Sequence, residues 1–276
     1  MDQLIIESGS TKSEWVLFNP DGNVLSRAIA PGWNPQLGLE SNQISKDCQS
    51  MIDHAQSIYF YSAGVASPIT KERVIQKLNA HCKVEVFSDL EGACKASLGE
   101  TSGVVGILGT GSNACYWDGN MTHHAVPSLG YILSDEGGGV DIGKELIRSY
   151  FFKEMPSGLS KAFEEAYNLE KAFVLENVYQ KPYPNRYLAD FSKFVSNCPH
   201  PWSEQLVKDR FTLFINKHLL PNFHKKNENI AFVGSMSFVF KDYLIEICTA
   251  LHLNVIQVLK AATEGLIKYH TKQIHD

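Results

Sequence analysis

Short apolar runs separated by clusters of Gly, Ser, Thr and Asn organise this chain, and two of those runs repeat one another. Leu4-Ile5-Ile6 leads through Glu7-Ser8-Gly9-Ser10-Thr11-Lys12-Ser13 into Trp15-Val16-Leu17-Phe18. Later, Val104-Val105-Gly106-Ile107-Leu108 leads through Gly109-Thr110-Gly111-Ser112-Asn113 into Ala114-Cys115-Tyr116-Trp117. Each copy reads as strand, small-residue turn, strand. Each then reaches the same tripeptide, Asp21-Gly22-Asn23 or Asp118-Gly119-Asn120, a hairpin signal because these residues accept positive φ. A third short strand follows, ending in Pro31-Gly32-Trp33-Asn34 or Pro127-Ser128-Leu129-Gly130-Tyr131. An internal repeat of this kind predicts two similar domains, expected to face each other across a cleft.

Beyond the meanders the pattern alternates between helix and strand. In the first half it predicts a helix over 36–54, with Leu37, Ile44, Cys48, Met51 and Ile52 inward, and a strand from Ser57 to Val65. A helix from Thr70 to Ala80 follows, with Thr70 as its N-cap and Val74, Ile75 and Leu78 inward; then come a strand over Lys83–Asp89 and a helix over Leu90–Leu98. The second half repeats this order after an insertion. It predicts a helix over Asp141–Phe152, mostly helical chain over 158–218, a strand over Asn229–Met236, a helix over Phe240–Leu251, a strand over Asn254–Leu259 and a last helix over Ala261–Lys272. The expected division is 1–102 and 103–276, the second part carrying the insertion over about 153–222. Parallel strands joined through helices, grafted onto antiparallel hairpins, give an α/β fold with mixed sheets.

Composition narrows the partners. The 276 residues carry a net charge of −5 with no basic stripe, which argues against nucleic acid. No apolar run approaches the roughly 18 residues of a membrane span, and Met1-Asp2-Gln3 lacks the basic start of a secretory signal. Cys48, Cys82, Cys94, Cys115, Cys198 and Cys248 stand singly, the usage of reduced thiols. A cytoplasmic protein is expected.

Several positions carry candidate chemistry. Unpaired N–H groups in a Gly/Ser turn form an anion-binding concavity, and Thr11, Ser13 and Lys12 add donors and charge; a plain hairpin is the alternative. Asp89 ends a strand, where it could receive a proton or cap the following helix. Asp135 and Glu136 precede Gly137-Gly138-Gly139, a pairing of carboxylates with close backbone approach that suits sugar hydroxyls; a solvated turn is the alternative. Asn34 could read a hydroxyl, while Trp33 plugs the sheet end. His123 and His124 are adjacent and face opposite sides of a strand, so they share no metal. Met236 and Phe238 read as apolar packing.

Five stretches carry a resemblance together: Glu7–Ser13, Ser88-Asp89-Leu90-Glu91-Gly92-Ala93, Leu108–Asn113, Gly130–Gly139 and Phe232–Ser237. In this order they resemble the actin, hexokinase and heat-shock ATPase superfamily, and within it the N-acetylglucosamine kinase branch of the BadF/BadG/BcrA/BcrD ATPase family. The resemblance implies two ribonuclease H-like (actin-like ATPase) domains facing across a nucleotide cleft, and phosphorylation of an amino sugar by ATP with Mg²⁺. It implies phosphate contacts at Gly9, Ser10, Thr11, Lys12, Ser13, Gly109, Thr110, Gly111 and Ser112, and adenosine contacts at Gly234, Ser235 and Met236. Asp89 would be the general base, and Asn34, Gly130 and Asp135 would touch the sugar. The last helix would pack back on the first domain, and the insertion is the expected place for a homodimer contact. Glu7 stands where the family usually has Asp, a carboxylate that helps order water around Mg²⁺. That departure keeps a second reading open, a non-catalytic sugar or nucleotide sensor. A third, an ATPase that activates a partner enzyme, lacks the paired cysteines it needs.

Overall fold

The computed structural model describes residues 1–9, 12–33, 35, 43–65, 67–225 and 228–275, with backbone alone at 274 and 275. Ser10, Thr11, Asn34 and the start of the predicted 36–54 helix lie outside them. The chain divides into two compact units: residues 1–101 with 117–122 and 261–276, and residues 102–116 with 123–260.

In the first unit, β1 (Gln3–Ser8), β2 (Lys12–Phe18), β3 (Val24–Pro31), β4 (Ser57–Ser62) and β5 (Lys83–Ser88) form one sheet in the order β3-β2-β1-β4-β5. The meander is antiparallel, and β1-β4 and β4-β5 are parallel. Helices α1 (Lys46–His54), α2 (Pro68–Leu78) and α3 (Asp89–Leu98) connect and follow the strands. Leu4, Ile6, Trp15, Ile58 and Phe60 point into a core closed by Met51, Ile52, Val74 and Leu78. Trp33 plugs the sheet end: it is 2% exposed, meets the Trp15 ring edge-on at 5.7 Å and lies 6.1 Å from Phe60. Burying such a ring is worth roughly 3–5 kcal/mol against alanine.

The cap of α2 differs from the sequence expectation. Ser67, not Thr70, is the N-cap; Pro68 takes the first turn, and Thr70 closes a capping box by bonding back to the Ser67 N–H at 3.0 Å. The helix therefore rotates so that Thr70, Val74 and Leu78 are buried, while Ile75 is exposed.

In the second unit, β6 (Gly103–Leu108), β7 (Ser112–Trp117), β8 (Thr122–His123), β9 (Asn229–Val233) and β10 (Asn254–Leu259) line up as β10-β9-β6-β7-β8. Strand for strand this is the order of the first sheet, the structural form of the sequence repeat. The helices are α4 (Gly130–Leu133), α5 (Gly139–Phe151), α6 (Ser157–Ala166), α7 (Lys171–Tyr179), α8 (Pro184–Asp190), α9 (Lys193–Asn197), α10 (Pro201–Phe214), α11 (Ser235–Val239) and α12 (Lys241–Ala250). A π-helical turn over Ile215–Leu219 continues α10. Phe163, Phe191, Phe194, Phe211 and Phe214 knit the inserted helices onto Val104, Leu108 and Phe232 of the sheet.

The final helix, α13 (Thr263–His275), follows β10 yet belongs to the first unit and packs on α3. A Cβ at Gly265 would collide with the Ala96 carbonyl, so the close approach of the two helices depends on a missing side chain.

Candidate functional site

In the first unit, candidate chemistry gathers at the carboxyl ends of β1, β4 and β5. The Gly9 N–H donates to the Lys12 carbonyl at 3.0 Å and closes the turn between β1 and β2; Gly9 and Lys12 are exposed. The hydroxyls of the neighbouring serines point inward. Ser13 donates to the Pro31 carbonyl at 3.0 Å and accepts from the Trp15 indole at 2.9 Å. Ser8 and Ser62 both donate to the Trp33 carbonyl, at 3.0 and 2.7 Å. These bonds anchor Trp33.

Asp89 opens α3. Ser88 is the N-cap, its hydroxyl accepting from the Glu91 N–H at 3.1 Å, while Asp89 Oδ1 accepts from the Leu90 N–H at 2.9 Å. Because the serine takes the capping duty, the half-buried Asp89 stands at the N-terminal end of a ten-residue helix with one carboxylate oxygen on the Leu90 N–H.

Glu7 does not reach toward the turn. Its Oε2 accepts from the Ala262 N–H at 3.1 Å and lies 2.7 Å from the Thr263 hydroxyl, at the start of α13. Burial pushes its carboxyl above the usual range, against the pull of these bonds. With one oxygen so committed, Glu7 is a poor fit for ordering water around Mg²⁺.

In the second unit the loop Gly109–Ser112 is held from below by α5. The Gly139 and Val140 N–H groups at the helix start donate to the Gly109 and Thr110 carbonyls at 2.8 and 2.9 Å. A Cβ at Gly138 would stand 2.7 Å from the Gly111 carbonyl carbon, so only glycine lets the two segments touch. Within the loop the Gly109 N–H donates to the Gly111 carbonyl at 2.9 Å and the Ser112 N–H to the Asp135 carboxylate, so an anion here would rely on the remaining donors of the turn. The Ser112 hydroxyl is buried and has no hydrogen-bond partner, an orphan that a phosphate oxygen would satisfy. The loop thus fits a nucleotide's phosphates.

Two features of this loop had no local signal in the sequence. Asp141, in the first turn of α5, accepts from the Gly137 N–H at 2.9 Å and takes a two-pronged ion pair from Arg210 of α10, at 2.7 and 2.8 Å. Glu136 accepts from Lys217 at 2.8 Å and pairs with His218 at 2.7 Å, both on the π-helical turn. Burial alone would raise the Glu136 pKa, but these partners bring it down to about 2. Glu136, the acidic residue just before the glycine run, was visible; its partners, far along the chain, were not.

Asp135 takes a left-handed backbone, φ +69°. Its buried carboxylate accepts from the Ser112 N–H, inside the loop 109–112, and burial raises its pKa. Gly130, exposed with φ +73°, begins the short α4. Gly234, φ +133°, donates to the Leu259 carbonyl at 2.9 Å and passes against Leu108 where no Cβ fits. Ser235 is exposed; Met236 is buried, its sulfur 3.6 Å from the Ser192 hydroxyl. Among the described residues no group of three metal-ligating side chains occurs.

Two mixed sheets of identical strand order, each with a small-residue turn after its first strand, define an α/β sugar-kinase ATPase fold. No family model matches the sequence, and no curated protein sequence matches it. Solved structures do. A candidate N-acetylglucosamine kinase from Porphyromonas gingivalis is 35% identical, with a TM-score of 0.90, covering 98% of this chain and 99% of that one. A candidate N-acetylglucosamine kinase from Chromobacterium violaceum shares the fold at 14% identity and TM-score 0.75, covering 97% and 98%. A ROK-family glucokinase from Streptomyces griseus, solved with glucose and AMPPNP, shares it more distantly, at 13% identity and TM-score 0.50 over 96% and 97%. The chain belongs to the N-acetylglucosamine kinase-like sugar kinases represented by the Porphyromonas protein.

Proposed function

We propose that this protein phosphorylates an amino sugar, N-acetylglucosamine first among candidates, with ATP as donor. The observation that carries this is the 35% identity over 98% of the chain with the Porphyromonas protein; the small-residue loop at 109–112 with its orphan Ser112 hydroxyl supports it.

The sugar hydroxyl oxygen attacks the γ-phosphorus in line, the bond to the β–γ bridging oxygen breaks, and ADP leaves. Asp89 accepts the hydroxyl proton. The loop Gly109–Ser112, and the turn at Gly9 and Lys12, hold phosphate oxygens, while Gly234, Ser235 and Met236 border the adenosine. Asn34 and Gly130 contact the sugar. Magnesium, when bound with the nucleotide, would supply charge neutralisation on the phosphates. The reaction belongs in the cytoplasm, where ATP is abundant; among the described residues no helix is long and apolar enough to cross a membrane.

A coupled ADP-release assay over a panel of sugars tests this, with Asp89→Asn as control. Sugar-dependent release that the variant abolishes is the expected result. The engagement of Glu7 with Thr263 favours a second reading, a sensor that binds sugar and nucleotide without turnover. Binding by calorimetry with no ADP release in the same sample would select it.

A further inference from the structure

We propose that Lys144 is the positioning residue for the sugar end of the site: its ammonium holds the α4 turn, and with it Gly130, in place against α5. The inference rests on the reading in which Gly130 contacts the sugar. α4 has little of its own to fix it. It spans four residues, has no side-chain N-cap and buries none of them, and a helix that short does not sustain itself. Leu129, Ile132 and Leu133 are exposed, and the half-buried Tyr131 is the turn's contact with the core.

Lys144 supplies the missing hold. Its Nζ donates to the Tyr131 carbonyl at 2.8 Å. Carbonyls in the last turn of a helix have no partner within it, and a lysine brought near can bond them. Among the described residues, Lys144 is the one side chain whose hydrogen bond reaches α4 from another element; the bond from the Ser134 N–H to the Gly130 carbonyl, 2.8 Å, is internal to the turn. Lys144 has a rigid base. It is flanked along α5 by the buried Ile142, Gly143 and Leu146, and a Cβ at Gly143 would meet the Leu188 carbonyl, so α8 packs directly on the helix beside it.

The segment from Gly130 to Gly137 is therefore braced at two separate points. At its far end Lys217 and His218 hold Glu136, and Asp141 holds the Gly137 N–H. Its near end, the α4 turn, depends on Lys144. Asp135 lies between the braces. Burial, with Glu136 adding to it, raises the Asp135 pKa, and the Ser112 N–H, Lys144 and His218 act against that rise. Lys144 thus serves one segment twice, by a bond at Tyr131 and by its charge at Asp135. The loop 109–112 is held independently, by the Gly139 and Val140 N–H groups, so sugar and nucleotide should respond differently to the loss of Lys144.

Calorimetric titration with N-acetylglucosamine, and separately with AMPPNP, tests this on wild type, Lys144→Met and Lys144→Arg. Lys144→Met, which loses a bond from a charged donor, is expected to weaken the sugar about tenfold or more and to leave AMPPNP within about twofold. Lys144→Arg keeps donor and charge and is expected to recover most of the sugar affinity. Amide hydrogen exchange reads position directly: Lys144→Met should speed exchange at Ser134 while Val140 stays protected. Wild-type sugar affinity in Lys144→Met overturns the inference, as does an equal loss of sugar and nucleotide. So does a Lys144→Arg no better than Lys144→Met, or a sugar loss with Ser134 exchange unchanged. A wild type that binds no N-acetylglucosamine overturns the amino-sugar reading, and this inference with it.

Discussion

The Thr263 hydroxyl lies 2.7 Å from Glu7 Oε2 and 2.7 Å from Glu14 Oε2. One hydroxyl carries one proton, so it cannot donate to two ionised carboxylates. A proton held by Glu7, whose pKa burial raises, completes the row: Glu7 donates to Thr263, and Thr263 donates to Glu14.

Glu7→Asp, shorter by one methylene, should lose this contact with α13 and cost about 1–3 kcal/mol. Glu7→Gln, which keeps the length and a donor, should cost much less. Urea unfolding of the three proteins decides, and equal stability of the two variants sinks the latch. The sign with pH follows. The folded pKa lies above the unfolded 4.5, so the folded state holds the proton more tightly and this contribution declines as pH rises above 4.5. Glu7→Gln should remove that decline.

The ion pair between Arg210 and Asp141 predicts a coupled loss. Arg210→Met strands a buried carboxylate and should cost about 3–5 kcal/mol. Arg210→Lys keeps the charge without the fork and should fall between. Both should weaken AMPPNP binding, because Asp141 also holds the Gly137 N–H; unchanged binding in a destabilised Arg210→Lys would confine the pair to stability.

His270 sets the acid limit of the α13 contact. Its ring stacks on Tyr59 at 3.7 Å, bonds the Tyr61 hydroxyl at 2.7 Å, and is 3% exposed. Burial first, and Lys95 second, lower its pKa to about 3. A depressed histidine favours the neutral form, so its contribution is complete above the unfolded value of 6.5 and drains as pH falls toward 3, by about 1.4 kcal/mol per pH unit. His270→Phe should flatten unfolding free energy over that window; an unchanged slope would remove His270 as its source.

Gly265→Val should be among the more damaging changes in α13. The new side chain meets the Ala96 backbone, which cannot turn aside as a side chain can, and overpacking of this kind costs about 1–3 kcal/mol. Thermal unfolding and the near-ultraviolet signal of Tyr269 and its neighbours would report it.

What could be read from the chain beforehand follows from how far each signal travels. The duplicated meander was legible because its turns are written locally: Gly22 and Gly119 take φ of +80° and +103°, as the Asp-Gly-Asn tripeptides demand. The Ser67 cap was legible too, in a Ser followed by Pro at the first helical position, though Thr70 drew attention away from it. Arg210 with Asp141, and Thr263 with Glu7, are joined across long stretches of sequence. No period or spacing marks such partners, since tertiary packing alone chooses them. The inward turn of the Ser13 hydroxyl was equally hidden, because a strand's alternation does not say which of its two faces is buried.

The place of α13 also has a consequence for how this chain comes off the ribosome. The first unit is drawn from residues 1–101, 117–122 and 261–276, so the face of α3 that receives Gly265 stays bare while the whole intervening unit is being made. The nascent first unit must wait with Ala96, Tyr61 and Tyr59 uncovered. An unfinished chain should therefore recruit holding chaperones, and release from them should coincide with the arrival of α13.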